Sequence, residues 1–180
     1  MAYKMIVLDL DGTLTNNKKE ITPRTYEALM EAQKKGIVVV LASGRPTYGI
    51  MPLAKQLKLA EYGGYILAYN GGKIMDCKSG DTVFNQELCP DLVPMLYDEA
   101  MKAGVQILTY QGDGIAATKA DDEYVEHEAF INKMPVVEYS DFKNQVEYPI
   151  NKCLIVGDPE PLHKLELKLA AEMEGKISDR

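Results

Sequence analysis

The sequence predicts an α/β fold built on a parallel sheet, and three observations predict it. Apolar runs of strand length alternate with amphipathic stretches along the first 74 residues, giving the order strand, helix, strand, helix, strand. The run "IVVVLA" at 37–42 lacks polar alternation, as a central strand covered on both faces should. Each of the first three strands also ends in small or polar residues: Asp9 and Asp11, Ser43 and Gly44, then Asn70 and Gly71. Open parallel sheets bind ligands at those carboxyl ends, so the pattern marks a candidate site as well as a fold.

Taken in order, "YKMIVL" at 3–8 is an aliphatic strand entering the loop "DLDGT", where a glycine permits a sharp change of direction. Thr22 suits a helix N-cap and Pro23 the first helical position. Tyr26, Leu29, Met30 and Gln33 then share a face until Gly36 stops the helix. After the second strand, residues 46–58 read as a helix broken or kinked at Pro52. "YILAYNGG" is the third strand with its turn. With right-handed crossovers this is half of a doubly wound sheet. Beyond residue 74 the character changes. "KIMDCKSGDTVFNQEL" reads as a hairpin around Ser-Gly-Asp, 91–103 as a helix, and "VQILTYQGDGIAAT" as two strands around Gly112-Asp113-Gly114. An acidic helix at 121–133, a strand in "NKCLIVGD" and an amphipathic helix in "PEPLHKLELKLAAEMEG", with Leu162, Leu165 and Leu169 on one side, complete the reading. We place a domain boundary near residue 80, with domains at 1–80 and 81–180.

At 180 residues the chain is long enough to bury roughly 70% of its unfolded surface, and 46% hydrophobic with 26% charged residues is the composition of a globular protein. A net charge of -7 repels polyanions at long range, which argues against nucleic acid and acidic membranes as partners. No membrane span or leader is evident, and the reading is cytoplasmic. Cys77, Cys89 and Cys153 have no zinc-site spacing and read as reduced thiols.

The chemistry concentrates at "DLDGT". Two carboxylates one residue apart are costly to desolvate and repel, so packing gives no reason for the pair. Period-two spacing aims both the same way if the strand persists that far. Proximity should then leave one ionised and one able to carry a proton. A hard cation such as magnesium relieves the repulsion and bridges to a phosphate oxygen. That set suits phosphoryl transfer, with one carboxylate attacking phosphorus and the other moving protons. Taken alone, Ser43-Gly44-Arg45 reads as a strand-to-helix turn with a serine cap, and only the link to "DLDGT" gives it functional weight; Asn70-Gly71 reads equally as a type I′ turn or as part of the site. His127 and His163 sit among charged residues and read as exposed. The acidic run 121–123 reads as a helix start.

"DLDGTLT" resembles the first signature of the haloacid dehalogenase superfamily and "LASGRP" the second, at the ends of successive strands. The whole chain resembles the N-terminal part of a Cof-type, subfamily IIB phosphatase. The fold this implies is an incomplete Rossmann-like core of three parallel strands with an α/β cap. The resemblance makes Asp9 the nucleophile and a magnesium ligand. Asp11 becomes the general acid/base, with its backbone carbonyl on the metal. Ser43 then bonds the phosphoryl group, Leu10 and Gly12 form its amide cradle, and Thr13 braces the loop, with Gly44, Arg45 and Asn70 nearby. The implied activity is Mg2+-dependent hydrolysis of small phosphorylated metabolites through an aspartyl phosphate; a phosphomutase uses the same aspartates.

The family also uses a lysine after the cap and a later acidic "GDxxND" stretch. Neither is found: "GDPEPL" has Leu162, and "GDGIAA" has Ala117, where a second metal carboxylate belongs. The sequence therefore reads as ending inside the cap. That leaves strand 5–9 as an open apolar edge and predicts poor solubility, dimerisation through that edge, or association with a separate C-terminal fragment. A non-catalytic phosphate- or metal-binding remnant, or half of a two-chain enzyme, is the rival reading.

Overall fold

The structure, a computed structural model, describes residues 3–173. The chain divides into two compact units, Met1–Gln86 and Glu87–Arg180.

In the first unit, β1 (Met5–Asp9), β2 (Val38–Ala42) and β3 (Tyr65–Ala68) pair in parallel in sequence order, with Asp9 beside Ala42 and Ala42 beside Leu67. This register brings the three carboxyl ends level. Helix α1 (Pro23–Lys34) joins β1 to β2, and its first turn is capped as expected, Thr22 accepting from the Thr25 N–H. Leu29 of α1 and Ile50 and Ala54 of α2 (Thr47–Gln56) share one buried cluster with Leu10, Val39, Leu41 and Ile66. Both crossover helices therefore cover the same face of the sheet. Pro52 does not break α2, which runs through it. The break comes at Lys58, in a left-handed conformation (φ 56°), before the short α3 (Leu59–Tyr62).

The hairpin expected after residue 74 is present as β4 (Lys73–Asp76) and β5 (Thr82–Asn85). It pairs antiparallel with β3 and extends the sheet to five strands, β1-β2-β3-β4-β5. For that reason the division falls after Gln86 and not near residue 80: the second strand of the hairpin is bonded to the first unit. β1 is at the opposite margin, paired with β2 alone among the described residues, with Met5 51% and Val7 55% exposed.

The second unit has the four-stranded sheet β8-β7-β6-β9. β6 (Gln106–Gln111) lies antiparallel to β7 (Gly114–Ala117) and β9 (Cys153–Val156), and β7 runs parallel to β8 (Val136–Glu138). Helices α4 (Leu92–Ala103) and α7 (Pro159–Glu172), with the short α6 (Phe142–Gln145), bury Val93, Leu96, Phe142, Leu165 and Leu169 against Ile107. The end of the last predicted helix, Glu174 and Gly175, lies outside the described residues. Helix α5 (Glu123–Asn132) begins at the acidic run, where Asp122 accepts from the Tyr124 and Val125 N–H groups. Its Glu128 accepts from the Tyr110 hydroxyl (2.7 Å) and the Asn132 amide (2.7 Å). The strand β8 and helix α6 were absent from the sequence reading. His127 and His163 are exposed, and the three cysteines are free. Among the described residues no helix is long and apolar enough to cross a membrane.

Candidate active site

The loop after β1 is a tight turn fastened from below. The Leu10 side chain is fully buried, and the Leu10 carbonyl accepts from the Thr15 N–H (2.9 Å) and the Thr15 hydroxyl (2.9 Å). The Asp9 carbonyl accepts from the Leu14 N–H at 3.1 Å. Thr13, assigned the bracing role by resemblance, is exposed; the bracing hydroxyl found here is that of buried Thr15. Gly12 takes φ 80°, a conformation side-chain-bearing residues resist, and so lets the chain reverse at the strand end.

β1 ends at Asp9, so the period-two argument for the aspartate pair does not apply: Asp11 already belongs to the turn. Asp9 ends the strand with its side chain exposed, beside Ala42 and one residue short of Ser43. Asp11 is held differently. Arg45 Nη2 reaches its Oδ1 at 2.6 Å and Arg45 Nε its Oδ2 at 2.9 Å, a bidentate clamp from a buried guanidinium. Lys19 Nζ adds a third contact, 2.7 Å from Oδ1.

Burial pulls the Asp11 carboxyl upward, but the Arg45 and Lys19 bonds outweigh it and hold the group below its ordinary value. The protonatable partner expected of the aspartate pair is therefore not found at Asp11. Cations, not the neighbouring carboxylate, dominate its surroundings.

The second and third strand ends are laced together. The Ser43 N–H donates to the Leu67 carbonyl (2.9 Å), the Asn70 N–H to the Ser43 carbonyl (3.1 Å) and the Tyr69 N–H to the Arg45 carbonyl (3.0 Å). The Ser43 hydroxyl accepts from the Arg45 N–H at 3.2 Å. Half-buried Gly44 sits between them. Tyr69 (φ 53°) and Asn70 (φ 56°) are both left-handed, an expensive pair for residues carrying a Cβ, and these backbone bonds hold them there.

Asp11 and Arg45 are thus brought into direct contact, as are Ser43 and Asn70 through the backbone, while Asp9 is aligned with them by strand register. Lys19 was missed by the sequence reading. It follows the signature in a stretch, "NNKKE", that carries no motif, and only the fold of that loop brings its ammonium back to residue 11.

Among the described residues no group of three or more histidines, cysteines or carboxylates could hold a metal ion. The oxygen donors at the strand end nevertheless fit an ion of the magnesium kind, which keeps several waters and needs only one or two protein ligands. The exposed Asp9 carboxylate and the Asp11 backbone carbonyl are suitable. The Asp11 carboxylate, taken by two cations, is not.

Comparison with known proteins bears on the family and the fold. A family model described as haloacid dehalogenase-like hydrolase matches residues 6–179. A crystal structure of a haloacid dehalogenase-like hydrolase from Bacteroides thetaiotaomicron superposes with a TM-score of 0.92 at 49% identity, covering 98% of this chain and 66% of that one. The structure of a HAD subclass IIB sugar phosphatase, BT4131, shares the fold at a TM-score of 0.71 and 20% identity, covering 90% of this chain and 62% of that one. A Bacillus subtilis protein named 5-amino-6-(5-phospho-D-ribitylamino)uracil phosphatase YcsE is 28% identical over 160 residues, 88% of this chain and 62% of its own length. The chain spans 60% to 66% of the length of the first curated relatives it matches.

Proposed function

We propose, from this chain's membership of the haloacid dehalogenase-like hydrolase family, that it is of the Cof-type branch and that its first unit carries the reacting carboxylates of a magnesium-dependent phosphatase for small phosphorylated metabolites. The observation that carries the reading is the exposed Asp9 side chain ending β1, in register with the strand that delivers Ser43, next to an Asp11 clamped by Arg45.

In this reading an Asp9 carboxylate oxygen attacks phosphorus as the bond to the leaving oxygen breaks, giving an acyl phosphate on Asp9. Ser43 and the N–H groups of Leu10 and Gly12 hold the phosphoryl oxygens, and Asn70 and Gly44 shape the rim. Asp11 as clamped here is ionised. That suits the second half of the reaction, in which it takes a proton from the water that attacks the acyl phosphate. To protonate the leaving oxygen in the first half, Asp11 must first take up a proton from solvent, which requires its cation partners to shift. The Asp9 carboxylate and the Asp11 backbone carbonyl would hold a magnesium ion, which would supply charge neutralisation for the phosphoryl group. The substrate is a phosphomonoester met in solution, and the margin of β1, paired with β2 alone among the described residues, is a surface through which copies of this chain can associate.

Hydrolysis of p-nitrophenyl phosphate by the full chain with magnesium tests the assignment. Asp9→Asn should lower turnover at least about a thousand-fold. Turnover that survives this substitution removes Asp9 from the chemistry. A second reading is a phosphate- or metal-binding fragment without turnover, or one half of a two-chain enzyme. It is the outcome if the unaltered chain binds phosphate but releases no p-nitrophenol.

A further inference from the structure

We infer that Lys19 is a phosphate-binding residue of this site, taking the dianion of a phosphate monoester; the assignment rests on the phosphatase reading above. Its ammonium stands 2.7 Å from Asp11 Oδ1, the same oxygen that Arg45 Nη2 reaches at 2.6 Å. Arg45 alone already engages both oxygens of that carboxylate, so the lysine is surplus to holding Asp11.

The backbone beneath it is a fastened turn in a costly conformation. Lys19 has φ 62°, a left-handed conformation that a residue with a Cβ resists and glycine accepts freely. The loop is fixed by Asn16. Its side-chain oxygen accepts from the Lys18 N–H (2.8 Å) and the Glu20 N–H (3.1 Å), and its carbonyl from the Lys19 N–H (2.9 Å). The Asn16 N–H in turn donates to the Glu20 carbonyl at 3.0 Å. A lysine at the strained tip of a fastened loop, turned back onto the strand ends, is placed to deliver charge there. With its side chain 38% exposed on a flexible four-carbon stem, it can exchange Asp11 for another anion close by.

Charge balance points the same way. The carboxylates of Asp9 and Asp11 and the cations of Arg45 and Lys19 cancel one another, and a divalent ion then cancels a phosphate dianion. Among the four charged side chains described at this site, removing Lys19 shifts the balance by one negative charge. Because the lysine addresses the phosphoryl group and not the leaving group, its removal should weaken every phosphomonoester by the same factor.

Titration of inorganic phosphate into the full chain with saturating magnesium, followed by calorimetry, tests this. Lys19→Gly should weaken binding about ten-fold or more. Lys19→Arg should stay within about three-fold of the unaltered chain, and the melting temperature of Lys19→Gly should not fall, since glycine suits the positive φ. Unchanged phosphate affinity in Lys19→Gly overturns the assignment and leaves the phosphatase reading standing. So does an equal loss in Lys19→Arg. Failure of the unaltered chain to bind phosphate overturns both.

Discussion

Asp9 and Asp11 differ in what their neighbours ask of them. Asp11 balances a guanidinium whose side chain is only 9% exposed, so it has a structural duty that Asp9 lacks. Asp11→Asn leaves that buried charge without its bidentate partner and should lower unfolding stability by about 1–3 kcal/mol, whereas Asp9→Asn should stay within about 0.5 kcal/mol. Urea denaturation of the two variants checks this, and equal losses would mean that the clamp does not stabilise the fold. The pairing of Asp11 with Arg45 was half legible in the sequence. Both residues stood at strand ends, but nothing along the chain states that two side chains 34 positions apart form parallel bonds. Lys19 was illegible because its contact depends on one backbone dihedral and on the hydrogen bonds of Asn16, neither of which leaves a pattern in residue types.

At the level of elements, local chemistry was the reliable guide. Thr22-Pro23 starts α1, Asp122 starts α5, and the unalternating run at 38–42 is the doubly flanked β2. Misreadings arose where tertiary pairing overrides local preference. Pro52 suggested a kink, but the helix accommodates it and ends instead where Lys58 turns left-handed. The three-residue β8 has no periodicity to detect and exists because β7 offers it a parallel partner. Gly64, just before β3, illustrates a further constraint hidden from sequence. A Cβ there would stand 2.5 Å from the Val39 carbonyl oxygen and 3.0 Å from the Leu59 side chain. Gly64→Ala must push β3 and α3 away from β2 and should cost about 1–3 kcal/mol. A loss below about 0.5 kcal/mol in denaturant midpoint would show that the β2–β3 junction yields freely.

The sequence carries a net charge of -7, and among the described residues the margin of β1 is paired with β2 alone; these two features oppose each other. Strand margins with apolar side chains invite pairing, while like charge keeps copies apart at low salt. Sedimentation should therefore show dimers whose share grows with protein concentration and with ionic strength, and Val7→Lys should reduce it. A monomer at every concentration and salt level would remove β1 as an association surface. The two-unit division has another consequence. Every bond described for the candidate site joins residues between 9 and 70, all on one side of Gln86. Recombination among related genes can thus inherit this constellation as a single cassette, and shuffling the coding sequence for residues beyond 86 leaves each of those bonds with both its partners.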